Sequence, residues 1–482
     1  MGLFDRPAPG DAIQSLRKPA IGGLTSALKS LRDAEWSDAV ENLREAGLLL
    51  PATADDPGAL DCHPLVREYF GDRLRQTKRA AWTEGHSRLF DYYCGLPKTP
   101  PVTLEEMVPL YTAIPHGCAA ERQSDALTTV YRHRIHRGQR HYGVEELGAF
   151  GADLAAVSAF FEERWASVSR RLSRDDQAFV LHACSYDLTA LGRTAEAEQP
   201  MQACLELRRA DRNWAGATLI AVNLSQHYLS TGQLHEARKQ ATDSVEFGKL
   251  SGDWREECTS MVALARVIHQ AGDYDAAAKV YRQAEELQKS RQPELAYLYS
   301  LRGLHFCDLL LSQKHYREAA IRAEHHLRMA QSLGRLLDCA IGHLLLGRAR
   351  MLEFPPSDAG GLAGALEDVN QAVDGIRTAG TADEMPRGFL ARAEIYRHMR
   401  HFSAAQADMA EAERICKRCG LRLLEVDCHL EYARFYLAQG ERDEARERLE
   451  TARGMIGEMG YHRRDRDVTE VQAALDAETS SA

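Results

Sequence analysis

The hydrophobic pattern is periodic over most of the chain. Residues 261–268 form an apolar run at helical spacing, and Gly272 closes it, because glycine takes the left-handed backbone that ends a helix without steric penalty. Asp273 then stands where its carboxylate can accept a backbone N–H and start a second helix. That helix carries Ala277, Tyr281, Ala284 and Leu287, spaced 4, 3 and 3 and therefore on one face. The turn position recurs at Gly192, Gly232, Gly272, Lys314, Gly360, Arg400 and Gly440, in steps of 40, 40, 42, 46, 40 and 40 residues. Five positions after each stands an alanine: Ala197, Ala237, Ala277, Ala319, Ala365, Ala405 and Ala445. Small residues there let two antiparallel helices approach closely, and a larger side chain is expected to cost about 1–3 kcal/mol by overpacking. One such hairpin cannot bury its apolar face alone, so the period predicts seven stacked hairpins over residues 176–460. The expected fold class is mostly α, an α-solenoid preceded by a smaller module.

Residues 1–80 have no such period. Leu24, Ala27, Leu28 and Leu31 predict one helix, and residues 36–46, with Trp36, Val40 and Leu43 on one side, predict a second that Gly47 ends. Residues 48–50 and 59–60 flank a turn-rich stretch at 54–58, which predicts a short β-wing. Pro64 suits the first turn of a further helix and places His63 at its cap. Helix, helix, wing, helix is a winged-helix order. Residues 81–175 read as an irregular helical connector, with Pro97, Pro100 and Pro101 in a loop. Within it, Ala126, preceded by Leu110, Tyr111 and Ile114, reads as the alanine of a degenerate extra repeat. Residues 354–361 hold two prolines and two glycines and predict a loop inside the fifth hairpin. Residues 461–482 predict a capping helix ending near Ala477 and a disordered tail from Glu478.

Composition narrows the chemistry. A chain of 482 residues exceeds one core, so two or three units are expected. With 60 Lys+Arg against 70 Asp+Glu the net charge is −10, which weighs against a dedicated nucleic-acid binder. The helix that would have to enter a major groove, residues 36–45, carries three acidic residues and one arginine. The most basic stretch, Arg132 to Arg137 with Arg140 and His141, reads as a solvated face or a partner for Glu145 and Glu146. No apolar run reaches 18 residues, the start has no signal peptide, and Arg6 fails the serine or threonine that myristoylation requires. Eleven scattered cysteines read as reduced thiols, so the expected location is cytoplasmic. Cys416, Cys419, Cys428 and His429 are the most metal-like group, but a spacing of three is also core spacing, and buried thiols are expected. His305, His325 and His326 read as core or rim side chains, and His116 and Cys118 as structural. The Gly248-Lys249 pair is followed by Leu250, so no P-loop exists, and no metalloprotease or serine-hydrolase motif occurs. No enzyme activity, cofactor or metal is expected of this chain by itself.

The segments GLFDRPA, ALKSLRDAEWSDAVENLREAGLLL and LDCHPLVREYFGDRLR resemble the winged-helix segment of bacterial signal-transducing NTPases of the NACHT/NB-ARC type, the STAND class. The downstream array resembles the tetratricopeptide (TPR) sensor that follows it in those proteins. The resemblance implies that His63 corresponds to the histidine of their MHD motif, which contacts the β-phosphate of ADP in the resting state. Cys62 and Pro64 replace the methionine and aspartate, so only His63 carries over. It further implies an ADP- or ATP-binding NTPase domain upstream in cis or on another chain. This chain would then be the non-enzymatic part that captures a protein or peptide cue in its groove. By the repeat register the groove side holds His182, Tyr186, Val222, Gln226, Val262, Arg266, Leu304, Asp308, Leu390, Glu394, Leu430 and Arg434. The Lys/Asn/Arg clamp with which some TPR domains grip chaperone carboxylates is not visible among them. Two other readings stay open: a winged-helix DNA-binding regulator with a TPR sensor, and a stand-alone TPR scaffold.

Overall fold

The computed structural model describes residues 1–52, 56–354 and 359–477. It divides into two compact units, one of Met1–Gly143 with Ala155–Ser173, the other of Val144–Leu154 with Arg174–Ala482. Most of the expected connector therefore belongs with the N-terminal module.

In the first unit the helices are α1 (Gly10–Arg17), α2 (Asp33–Glu45), α3 (Pro64–Thr77), α4 (Arg79–Gly95), α5 (Leu104–Ala119) and the short α6 (Gln123–Asp125), which runs into a π-helix, Ala126–Ile135. The helix expected around residues 24–31 is only a 3-10 turn, Ser26–Leu28. The Thr25 hydroxyl explains the difference: it accepts from Ile21 N and donates to Leu16 O, each at 2.8 Å, and so competes with a helical backbone. The β-wing is slight among the described residues. Ala8 and Leu60 form one antiparallel bridge, and Leu50 N donates to Asp61 O at 2.8 Å. Part of the turn-rich stretch, residues 54–55, lies outside the described residues. Leu110, Tyr111, Ile114 and Ala126 are all buried where α5 packs on the π-helix. An unforeseen hairpin, β1 (Phe161–Glu163) and β2 (Ser167–Val168), turns at Trp165 with φ +61°. The chain passes between the units through α7 (Tyr142–Glu145) and α8 (Phe150–Ser158).

The second unit stacks seven helical hairpins, each with an A helix and a B helix. They are α9 (Arg174–Ala190) with α10 (Thr194–Ala210), α11 (Trp214–Ser230) with α12 (Leu234–Ser251), α13 (Trp254–Gln270) with α14 (Tyr274–Arg291), and α15 (Leu301–Ser312) with α16 (Tyr316–Leu333). There follow α17 (Leu336–Glu353) with α18 (Ala359–Ala379), α19 (Met385–His398) with α20 (Phe402–Cys419), and α21 (Arg422–Gln439) with α22 (Arg442–Met459). A 3-10 turn, His462–Arg464, leads to α23 (Asp465–Ala477). All seven repeat alanines are 0% exposed, which is the close helix approach that their size permits. Asp273 caps α14 by accepting from Ala276 N at 3.0 Å. Gly360 departs from the expected pattern, since it lies inside α18 rather than at a left-handed turn, and residues 355–358 of the expected loop lie outside the described residues.

The 42-residue step also has a local cause. Pro293 cannot continue α14, and residues 292–300 run as an irregular link that shortens α15 to 12 residues. Side chains of α14 hold this link: Glu285 accepts from Leu298 N at 3.1 Å, and Gln288 bonds Tyr297 O at 2.7 Å and Tyr299 N at 3.0 Å.

Candidate functional site on the inner face of the solenoid

Among the described residues, at five of the six junctions, an A helix touches the next through polar side chains about one repeat apart. Asn223 bonds His182 at 3.1 Å, and Gln226 accepts from Arg266. Arg302 donates to Thr259 at 3.1 Å, His269 meets Ser312 at 3.0 Å, and Arg348 reaches Asp308 at 3.2 Å. Arg397 pairs with Glu431 at 2.7 Å. This ladder explains why polar residues recur on one side of helices whose other side is core.

The solenoid curves far enough for its ends to meet. Ala382 N donates to Ala190 O at 2.6 Å, and the Thr194 hydroxyl donates to Cys419 O, 225 residues away. Tyr274 donates to Arg463 O at 2.8 Å across 189 residues. A β-carbon at Gly272 would lie 3.0 Å from the carbonyl carbon and oxygen of His462, and one at Gly232 would lie 2.9 Å from Cβ of Arg422. The turn glycines of the first three hairpins thus face neighbours from the last two hairpins and the segment after them.

The segment after the seventh hairpin enters the inner face. Arg463 grips Asp308 with two parallel bonds, Nη1 to Oδ2 at 2.7 Å and Nη2 to Oδ1 at 2.9 Å, and also reaches Gln270 at 3.3 Å. Arg464 grips Asp427 likewise, with two bonds of 2.8 Å, and reaches Asp467 at 3.3 Å. Tyr461 donates to Asp427 at 3.3 Å. Paired bonds of this kind match the planar guanidinium to a carboxylate. Burial favours the neutral form of Asp308, but Arg463 and Arg348 overcome it and hold the carboxyl well below its ordinary range. Asp467 is drawn down to about 2 in the same way: burial opposes, and Arg464 and Arg434 prevail. His269 and His305 are pushed well below the usual imidazole value, first by burial and then by neighbouring arginines, so both are neutral. Arg266 is lowered to about 10 by burial, with Arg387 adding repulsion.

The register residues divide into three groups. Gln226, Arg266 and Asp308 belong to the ladder and the charged interior. Arg434 also belongs there, bonded to Asp467 and 3.8 Å from Glu431, and Glu394 lies 3.9 Å from Arg397. Tyr186 keeps 36% of its surface open, yet its phenol is pushed well above 10 by the protein enclosing it and by Glu145, to which it donates at 2.9 Å. His182 joins Asn223, while Val222 and Leu390 are half-buried. Val262, Leu304 and Leu430 are corrections: they are fully buried and do not line the interior. Each stands one turn before a polar residue on the same side of its helix, and Val262 and Leu304 pack into the core shared by the third to fifth hairpins. Arg348, Arg387, Asp427, Tyr461, Arg463 and Arg464 were missed. The arginine-rich run after Gly460 was the one visible signal, and it pointed only to Arg463 and Arg464.

His63 is the exposed N-cap of α3, with Pro64 at the first helical position. Its Nδ1 accepts from Leu65 N at 3.3 Å, so the neutral ring carries its proton on Nε2, which has no partner among the described residues. Leu65, Tyr69 and Phe70 on the same helix are 66%, 59% and 52% exposed. The basic stretch serves its own unit: Arg134 donates to Cys94 O at 2.6 Å, and Arg137 donates to Pro101 O and stacks on Tyr142. Cys416 and Cys428 approach to 4.0 Å as buried thiols, and Arg448 donates toward Nδ1 of His429. Among the described residues no group of three or more His, Cys, Asp or Glu side chains could hold a metal, and no helix is long and apolar enough to cross a membrane.

Tetratricopeptide repeat family models match residues 215–290, the second and third hairpins, and residues 426–451, within the seventh. No curated protein matches the chain. Among solved structures it is similar to a Signal Transduction ATPase with Numerous Domains (STAND) protein with a tetratricopeptide repeat sensor from Pyrococcus horikoshii, at 13% identity and a TM-score of 0.44, covering 98% of this chain. This chain spans 64% of that protein's length. It is also similar to a Rap protein complexed with Competence and Sporulation Factor, at 12% identity and a TM-score of 0.41 over 64% of this chain and 99% of the other. A tetratricopeptide repeat protein from Parabacteroides merdae follows at 19% identity and a TM-score of 0.33, over 62% and 98%. The chain is mostly α, and its second unit is an α-solenoid carrying tetratricopeptide repeats, an architecture that presents a surface for protein interaction.

Proposed function

We propose that this chain is the sensing and relay part of a signalling NTPase. The solenoid interior takes a protein or peptide cue, and the N-terminal module, read as a winged helix, passes the event to a nucleotide-binding domain supplied upstream or by another chain. The observation that carries this reading is His63. It stands exposed at the start of a helix, with an Nε2–H donor free to meet a phosphate oxygen and the positive end of the helix dipole behind it. The exposed Leu65, Tyr69 and Phe70 beside it supply the apolar surface that a packed domain would cover. The DNA-binding alternative finds less support, because the exposed face of α2 carries Asp38, Glu41 and Glu45, while Arg44 turns back to Glu41 and Ala59 O.

The test is His63→Ala in the complete assembly with its nucleotide-binding domain. Loss of one charge-assisted bond predicts a resting-state ADP affinity roughly tenfold weaker or more, with raised basal activity. Unchanged ADP affinity together with unchanged basal activity would remove the nucleotide-sensor role from His63.

A further inference from the structure

The inner face of the solenoid has an occupant of its own. Residues 461–467 cross from the end of the seventh hairpin to the third and fourth, and two adjacent arginines in the 3-10 turn point to opposite walls. Arg463 binds Asp308 on α15, while Arg464 binds Asp427 on α21. Successive residues of a 3-10 helix differ by about 120° around its axis, so adjacent side chains can bridge two walls.

Three features mark this segment as a seated ligand rather than a piece of core. Apart from Tyr461, which is buried at its start, it buries no apolar side chain before Val471, so polar bonds hold the rest of it there. Ion pairs removed from water gain little over their solvated state, which makes such a seat specific without making it strongly favoured. Finally, the fit is incomplete: Nε of Arg463 is buried with no acceptor among the described residues, which carries a desolvation cost that a better-fitting occupant would avoid. Asp308 belongs to the fourth hairpin and keeps a partner outside the segment, Arg348, while Asp427 of the seventh hairpin is bonded by Tyr461 and Arg464, both of the segment.

We propose that Asp308 and Asp427 form a recognition site for two adjacent arginines, filled in cis by residues 461–467, and that a cationic peptide carrying an arginine pair competes for it. The proposal rests on the reading that the solenoid interior takes a peptide. Displacement of the segment would free Tyr274 and Gly272 from their neighbours Arg463 and His462 and so loosen the closed winding, leaving Ala190 with Ala382 and Thr194 with Cys419 to hold it.

The probe is a synthetic peptide of residues 460–468, GYHRRDRDV, with a control in which the arginines at 463 and 464 are alanine. On the unmodified full chain, millimolar probe should speed backbone hydrogen exchange of residues 461–467 by about tenfold, with α15 and α21 still protected and the control inert. In the full chain carrying Arg463→Ala and Arg464→Ala, the labelled probe should bind directly, and adding Asp308→Asn should abolish that binding. If that variant does not fold, the exchange experiment on the unmodified chain still decides. Unchanged exchange at 461–467, or equal effects of probe and control, overturns the proposal. A peptide that binds the solenoid while 461–467 stays protected would also overturn it and leave the broader interaction reading standing.

Discussion

Gly272 and Gly440 occupy equivalent turns with similar backbones, φ +89° and +82°, yet they answer to different constraints. Gly440 faces open space, so Gly440→Ala carries only the left-handed strain, about 1 kcal/mol. Gly272→Ala adds a tight contact with the His462 backbone, 3.0 Å from its carbonyl, and should lower the thermal midpoint more; equal shifts would contradict this packing. Lys314 and Arg400 show that the turn itself does not demand glycine, since they adopt φ +64° and +59°. In the first unit, His86 and His116 face each other with their Nδ1 atoms 2.8 Å apart. Burial, with His116 and Arg75 adding, lowers His86 to about 3; burial, partly opposed by Asp5, lowers His116 to about 4. Unfolded histidine takes its proton near pH 6.5, so below that value the unfolded chain binds more protons than the folded one. Stability should therefore fall between pH 6.5 and 4, with a slope approaching about 1.4 kcal/mol per pH unit for each ring. Urea midpoints at pH 7 and 5 test this, and His86→Leu/His116→Leu should flatten the difference. An unaltered slope would exonerate the pair.

At the scale of elements, the most telling feature is the link between the third and fourth hairpins. Arg322 on α16 bonds Glu285 on α14 at 2.7 and 3.2 Å, and its guanidinium lies 4.5 Å from the Tyr297 ring and 4.7 Å from Phe306. Glu285 in turn holds Leu298 N, so one ion pair organises the irregular link. Truncation by Arg322→Ala would leave buried Glu285 with only Leu298 N and, at 3.8 Å, Lys289 as partners, at a cost of about 3 kcal/mol. Arg322→Met/Glu285→Leu, which removes both charges, should cost much less. Urea denaturation of the two variants compares them directly, and similar losses would mean that packing rather than charge sets the effect. The hairpins themselves were legible because glycine, capping aspartate and alanine act within one hairpin. The link was not, because a two-residue excess in the period does not say which side chains will hold it.

For the second unit as a whole, an ideal repeat array is one-dimensional: each hairpin touches only its neighbours. This one is not, because Tyr274 and Asp308 contact Arg463 across 189 and 155 residues. Truncation after Gly460 should therefore reduce hydrogen-exchange protection in the third and fourth hairpins, far from the cut in sequence. Protection lost only from the seventh hairpin would show that the closure carries no energy. The same geometry explains the candidate site. Gln226, Arg266 and Asp308 bond between successive A helices, whereas Val262, Leu304 and Leu430 are buried as core. Arg463 and Arg464, which bind Asp308 and Asp427, came from the segment expected only to cap the array.

The sequence by itself determined the period, the buried alanines, the turn residues other than Gly360 and the His63 cap, because each depends on chain neighbours within about forty residues. Only the tertiary structure decided that the array closes on itself, that Arg463 and Arg464 occupy its interior, and which side of each A helix faces inward. The physical reason is that closure depends on a small rotation added at every hairpin. That rotation is a sum over the whole stack and is written in no single residue or repeat.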